Sequence, residues 1–384
     1  MFDGFLDMAA DPAAENDLRQ ATARHVAALR AAGRVDRAIV GRTEQAVAAD
    51  PTRAFAFAPG GHATLTAAGH SWPAGQFETP SLGELRTRAA DAGRAGGSAR
   101  LWVLDGAGPA TDIGALQATT AGRPLFQVAS QFNCLESPGP YLARVADYFS
   151  DYTQGPRASV SAFTATLLRH YAAPDSVGGR FVQGAGGRQI DLLADVFEPG
   201  QSPVRSGYLA GHGGTGADQL LALLEAGFDR IRVGAHDDAP VLLGHDWDGA
   251  VEGDRPVGQV FTSTVAGGGY GGSGSLGAAF EPICRQLLRA AYLGTVLAAV
   301  SLGRSPVVLT LIGGGVFGNP VGTIWDAILW AFDEARPVAG ECDVVVNGRD
   351  LVARLGLPVL LTGVQDRGGA VVRLDREGLV GIER

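Results

Sequence analysis

A layered α/β fold is what the pattern of this 384-residue chain predicts. Strand-length apolar runs alternate with helix-length amphipathic ones, and one apolar run feeds through a glycine loop directly into a helix. A hydrophobic content of 46% is enough to bury a sizeable core.

In chain order, positions 1–95 are rich in alanine and arginine, with helical spacing at Leu18, Ala21, Val26 and Leu29. They are expected to form an N-terminal, largely helical extension packed on a core over 96–384. Within it, a turn at Thr79-Pro80 leads to Ser81-Leu82-Gly83-Glu84, a capping-box start for a helix through Ala92 that Gly93 is placed to end. Strands are predicted over 99–104, 125–129, 230–233, 259–264, 307–312 and 343–346, and helices over 160–171, 217–226 and 280–302. Two glycine-rich stretches, 177–188 and 266–277, read as loops; the second carries Tyr270 and is a candidate flap over a ligand.

Composition excludes several functions. All 31 basic residues are arginine, so a Walker-type loop, a kinase strand lysine and a Schiff-base lysine are ruled out. The net charge of −9 works against a nucleic-acid partner and favours a basic protein. Three widely spaced cysteines, Cys134, Cys284 and Cys342, suggest neither a disulfide framework nor a metal site, and a reducing cytoplasm is expected. No secretion signal or membrane span is expected, because 287–302, interrupted by Arg289, reads as a buried helix.

The segment VVLTLIGGGVFGNPVGTIW over 307–325 carries the most chemistry. Gly313, Gly314 and Gly315 leave backbone N–H groups uncovered, Gly318 allows close approach, and Pro320 suits a first helical position. The following helix would aim its N-terminus at an anion on the loop, and a diphosphate fits. The glycines also suffice for a plain tight turn. They spell GxGxxG as well, but Asp333 and Glu334 fall within the helix, where a dinucleotide fingerprint needs an acidic residue ending the next strand.

The order of long helix, apolar strand, GVFGNP loop and helix resembles the second phosphate loop of macrodomains, including Val316, Phe317 and Asn319. Thr111-Asp112-Ile113-Gly114 resembles their signature whose aspartate bonds the adenine amino group, and LFQVASQFNCLE over 125–136 their strand and ribose-contacting loop. FQVASQFNCLE together with DYTQGP over 151–156 is similar to a divergent macrodomain-like branch of ADP-ribosylhydrolases that removes arginine-linked ADP-ribose. QIDLLAD, RVGAHDD and GQVFTSTV further along support it. The resemblance implies a macrodomain-like three-layer α/β/α core with a mixed central sheet, no cofactor, and ADP-ribosylated protein as partner, ubiquitin-like proteins included. The chain departs from that branch between LE and TQGP, where relatives carry extra acids and this sequence has SPGPYLARVADYFS with Arg144 in the middle.

For catalysis the sequence offers Asp151 as the acid that orients water or stabilises charge on the opening ribose, with Asp147 and Glu136 completing a carboxylate cluster around the guanidinium. Asn133 suits a ribose hydroxyl pair and Gln131 serves from the same loop, although either would also cap it. Gln154 and Gly155 would shape the pocket wall, and Asp151 also reads as a turn residue bonding its own backbone. His236, Asp237, Asp238, His245, Asp246 and Asp248 have the residue types of a metal site without its spacing, so they read as a polar loop and no metal is expected. Two functions compete: a hydrolase freeing arginine from ADP-ribose, or a module that binds ADP-ribose without turnover. A dinucleotide-dependent oxidoreductase ranks below both.

Overall fold

The computed structural model describes residues 5–32, 35–92, 98–139, 141–175, 178–209, 216–244, 250–267 and 276–384. Its strands are β1 (Phe55–Phe57), β2 (Ala63–Ala67), β3 (His70–Glu78), β4 (Arg100–Asp105), β5 (Leu125–Ala129), β6 (Ala173–Pro174), β7 (Arg180–Phe181), β8 (Val204–Arg205), β9 (Tyr208–Leu209), β10 (Gly234–Leu243), β11 (Ala250–Thr262), β12 (Val307–Leu309), β13 (Asp343–Arg349), β14 (Val371–Leu374) and β15 (Leu379–Glu383). The helices are α1 (Phe5–Ala10), α2 (Glu15–Ala31), α3 (Ala38–Ala49), α4 (Pro51–Ala54), α5 (Leu82–Asp91), α6 (Ile113–Thr119), α7 (Gln154–Ser161), α8 (Phe163–Tyr171), α9 (Ala217–Ala226), α10 (Phe280–Leu302), α11 (Val321–Ala339), α12 (Leu351–Leu355) and α13 (Leu357–Gln365).

One mixed sheet of eleven strands organises the molecule, in the order β1-β2-β3-β10-β11-β5-β12-β13-β4-β14-β15. From β11 to β14 each neighbouring pair is parallel, while both flanks are antiparallel. The parallel centre is buried along its length, as in β4, β5 and β13, because helices cover both faces. On one side α10 packs on α5, α9 and α11; a separate group joins α6 to α7 and α7 to α8. Strand β2, next to the edge strand β1, alternates buried and exposed residues, the mark of a half-solvated sheet.

Helix α10 stays in the core: 283–300 are almost continuously buried, and Arg289 lays its guanidinium 4.9 Å from the Trp330 ring centroid. It also fixes the chain just beyond β12. The Tyr292 hydroxyl donates to the Thr310 carbonyl at 2.9 Å and accepts from the Ile312 amide at 3.1 Å.

Several expectations shift. The extension is helical to Ala54, but 55–78 supply three strands to the sheet, and β3 pairs with β10 (Ala235↔Glu78), so the sheet crosses the expected division at residue 95. Its spacing buries Leu18, Val26 and Leu29, with Thr22 rather than Ala21 completing the stripe. The capping box forms as expected, Ser81 and Glu84 each bonding the other's backbone. The strand expected over 230–233 begins at Gly234, since 228–230 close a 3-10 turn after α9. The helix expected over 160–171 is two helices broken at Ala162, whose φ of −112° and ψ of 57° leave the helical region. Pro320 is the cap before α11, not its first turn. Gly93, Tyr270, His245, Asp246 and Asp248 lie outside the described residues.

Candidate functional site

The parallel strands open at their C-terminal ends onto one cleft of about 630 Å³. Its floor follows β5 at Ala129, the chain after β12 at Thr310, the end of β13 at Asn347 and the chain after β4 at Ala107. Crevices at such strand ends are where open α/β sheets place ligands.

One wall is the glycine loop, 311–317. Gly313 has a φ of +70°, and a Cβ there would come within 2.6 Å of Thr264 Cγ2, so glycine is required on both counts. The loop is braced internally: the Gly314 amide bonds the Leu311 carbonyl, the Asn319 amide the Gly313 carbonyl, and the Gly318 amide the Gly315 carbonyl, each at 3.0 Å. Among the described residues the amides of Gly313, Gly315 and Val316 have no acceptor. Arg354, on α12, donates to the Gly314 carbonyl at 3.0 Å and lines the cleft together with Arg349. Free amides beside a guanidinium are the donors that a diphosphate would require. Residues of the loop line the cavity, whereas the N-terminus of α11, beyond the turn 315–318, does not.

The opposite wall carries the acids. Glu136 is buried at the cleft, with Oε1 accepting from the Ser159 hydroxyl at 3.3 Å. Burial pushes its carboxyl well above the ordinary range; Arg169 pulls it back in part, and Asp151 raises it further. Arg169 is itself fully buried, stacked 3.6 Å from the Phe261 ring centroid and donating to the Cys134 carbonyl at 3.2 Å. Asp151 stands at the mouth. Its Oδ1 accepts from the Thr153 amide at 2.8 Å and the Thr153 hydroxyl at 2.7 Å, as a turn residue does, while Oδ2 has no partner among the described residues. Gln154 opens α7 and accepts the Ile113 amide at 3.0 Å. At Gly155 a Cβ would overlap the Ala129 carbonyl oxygen and come within 2.7 Å of Glu136 Oε2, so only glycine lets α7 approach the acid.

Asp151, Gln131, Glu136, Gln154, Gly155, Gly313, Gly314, Gly315, Val316 and Phe317 therefore meet in one cleft, and six other expected residues do not. Asp112 caps α6, accepting the Gly114 amide at 3.0 Å, and pairs with Arg157, so its carboxylate is spent inside the fold. Ile113 is core. Asn133 is buried as a loop strut, accepting the Leu135 amide at 3.1 Å and donating to Gln189 at 3.0 Å. Asp147 points outward, 56% exposed and 3.6 Å from Arg144. Gly318 makes the turn below the loop, and Asn319 braces it by donating to the Val265 carbonyl and accepting from Thr264, both at 3.0 Å. Gln131, although in the cleft, also ties down its own loop through the Ser137 backbone.

The described part of the acidic and histidine cluster is structural: Asp237 and Asp238 pair with the buried Arg304, and His236 bonds the Ala74 carbonyl at 2.7 Å. No group of metal-ligating side chains occurs among the described residues. Sequence reasoning missed Arg349, Arg354, Asn347, Tyr152 and Tyr208, all lining the cleft. NGRD over 347–350 directly after a β-run was the available signal, since strand ends in such sheets face the site.

No protein-family model matches the chain, and no curated protein does. Among solved structures it is similar to bacterial poly(ADP-ribose) glycohydrolases. That of Thermomonospora curvata is 14% identical, with a TM-score of 0.42 over 81% of this chain and 92% of that one. Its complex with the inhibitor ADP-HPD gives 14% and 0.40 over 81% and 91%. The Deinococcus radiodurans enzyme in complex with ADP-ribose gives 12% and 0.41 over 74% and 95%.

Proposed function

We propose that this chain hydrolyses the glycosidic bond joining ADP-ribose to a protein side chain, with arginine as the linkage that the FQVASQFN and TQGP motifs favour. One observation carries the reading: a loop with unpaired amides beside Arg354 and a carboxyl pair, Glu136 with Asp151, line the same cleft. The diphosphate would rest on the amides of Gly313, Gly315 and Val316, leaving the distal ribose toward the acids. There the bond from the anomeric carbon to the guanidinium nitrogen breaks and a water oxygen bonds that carbon. One water proton goes to the leaving nitrogen, and the products are ADP-ribose and unmodified arginine. Asp151, reached by solvent, orients the water and offsets positive charge on the ribose; Glu136, whose carboxyl burial pushes well above its ordinary range, would serve as hydrogen-bond donor when protonated. An acidic chain suits a basic target, a ubiquitin-like protein among the candidates, in a cytoplasmic setting.

The test is Asp151→Asn. ADP-ribose release from an arginine-modified protein should fall by roughly 100-fold or more, the scale of a lost acid–base group, while calorimetric affinity for ADP-ribose stays near wild type and exceeds that for AMP. Unchanged release would remove Asp151 from the chemistry. A second reading, binding without turnover, is favoured by the engagement of Asp151 Oδ1 with Thr153 and by the outward Asp147. It predicts tight ADP-ribose binding and no release by the wild type.

A further inference from the structure

The segment that delivers Asp151 is itself held from far away in sequence. Residues Val145–Ser150 form a 3-10 helix ending at Asp151, whose amide bonds the Tyr148 carbonyl at 3.1 Å. Its first two amides, those of Val145 and Ala146, are accepted by the two carboxylate oxygens of Glu44 at 2.8 and 3.0 Å. Glu44 lies on α3 and is itself buried, and it also accepts the Tyr171 hydroxyl from the end of α8 at 3.2 Å. Two more residues on the same side meet the segment: Arg37, the cap residue before α3, places its guanidinium 5.5 Å from the Phe149 ring centroid, and Gly41 of α3 faces Ala146. Positions 37, 41 and 44 match the i, i+4, i+7 stripe that one side of a helix presents.

The inner side of the segment is fixed as well. The Tyr148 hydroxyl accepts the Glu136 amide at 2.9 Å and lies 2.9 Å from His170 Nε2. Burial holds His170 neutral, down at about 3, so the Tyr148–Nε2 bond is one between uncharged groups, its donor set by the imidazole tautomer. Tyr148 thus ties the segment to Glu136, while Glu44 ties it to α3.

The geometry points to α3 as a positioning element of the catalytic wall: Arg37, Gly41 and Glu44 template residues 145–150, and Glu44, by capping both leading amides, sets where Asp151 stands relative to Glu136. This rests on the proposed hydrolase reading and gives the N-terminal extension a role in catalysis. Glu44 is a positioning residue, since it reaches no substrate-facing surface. A carboxylate at a helix start satisfies donors that have no partner in the helix, and its removal leaves one buried and one partly buried amide unpaired.

Two variants of the full chain test this. Glu44→Gln keeps the shape but leaves one amide facing an NH₂ group, and Arg37→Ala removes the Phe149 contact at an exposed position where the fold is not at stake. For Glu44→Gln, kcat for ADP-ribose release should fall on the order of 10- to 100-fold, the scale for a misplaced reacting group, with the calorimetric ADP-ribose Kd within about twofold of wild type. Arg37→Ala should show the same split, smaller. Amide hydrogen exchange, read in both, should rise over 145–153 and stay unchanged in β4, β5, β12 and β13. Exchange over 145–153 left as in wild type, or rising equally across the sheet, would overturn the templating role. So would a fall in ADP-ribose affinity matching the fall in kcat. If the wild type binds ADP-ribose and releases none, the hydrolase reading fails while the exchange measurement still decides whether α3 holds the segment.

Discussion

Between the two walls of the cleft the difference is chain distance. The glycine wall is written into consecutive residues, 311–317, with Arg349 and Arg354 as its distant additions. The acid wall collects Glu136, Asp151 and Gly155 from two loops and a helix start, and depends on Glu44, Tyr148 and His170 behind them. A wall made of one strand-to-helix turn needs only its own backbone conformation. One assembled from separate elements inherits every packing error of the elements that carry it.

The sharpest way to break that contrast is Gly155→Ala. The added methyl overlaps the Ala129 carbonyl and crowds Glu136, so α7 must move, at a cost of about 3 kcal/mol by the usual scale for overpacking. Release of ADP-ribose should be lost and the urea midpoint lowered; a variant with wild-type midpoint and activity would show that the two elements do not need this approach.

On the other wall the expected effect is smaller and confined to binding. Arg354→Ala should weaken ADP-ribose by about 2 kcal/mol, near 30-fold, the scale of a charge-assisted hydrogen bond, without changing the melting temperature appreciably. AMP and ADP-ribose losing affinity equally in calorimetry would place the guanidinium on the phosphate nearest adenosine; loss with neither would remove it from the cradle.

The smallest effect sharpens the acid wall by pH. Burial lifts the Glu136 carboxyl well above 4.5, so from that value upward the folded protein keeps a proton that the unfolded chain has released. Stability therefore falls as pH rises through the window between 4.5 and the folded-state value, by at most about 1.4 kcal/mol per pH unit. Glu136→Gln should remove that slope, and urea midpoints of the two proteins should diverge as pH rises from 4.5 toward neutrality. Parallel curves would mean that the carboxyl ionises in the folded state as it does in the unfolded chain.

Legibility divides along the same line. Helices α9 and α10 and strand β5 lie where the patterning puts them, because their apolar periodicity is long or their ends are punctuated. The strand after α9 starts later than the pattern suggests, past the 3-10 turn at 228–230; Ile231 and Val233, alternating with Arg232, look like strand in one dimension. Around the site, the glycine loop was readable since glycine runs have few structural uses. Asp112 and Asn133 sit in motif-like strings too, yet each is consumed locally, by Arg157 and Gly114 in one case and by Leu135 and Gln189 in the other. Nothing in a string of residue types records whether a polar atom is already partnered.

The sequence by itself determined the absence of lysine, the α/β alternation and a glycine turn between strand and helix, properties of composition and of neighbours within a few residues. Tertiary structure alone decided that Glu136 is buried beside Asp151, that Asp147 faces outward, and that Arg354 joins the loop. Burial, charge proximity and the direction of a side chain depend on groups tens to hundreds of residues apart, which only the assembled sheet and its helical layers bring into contact.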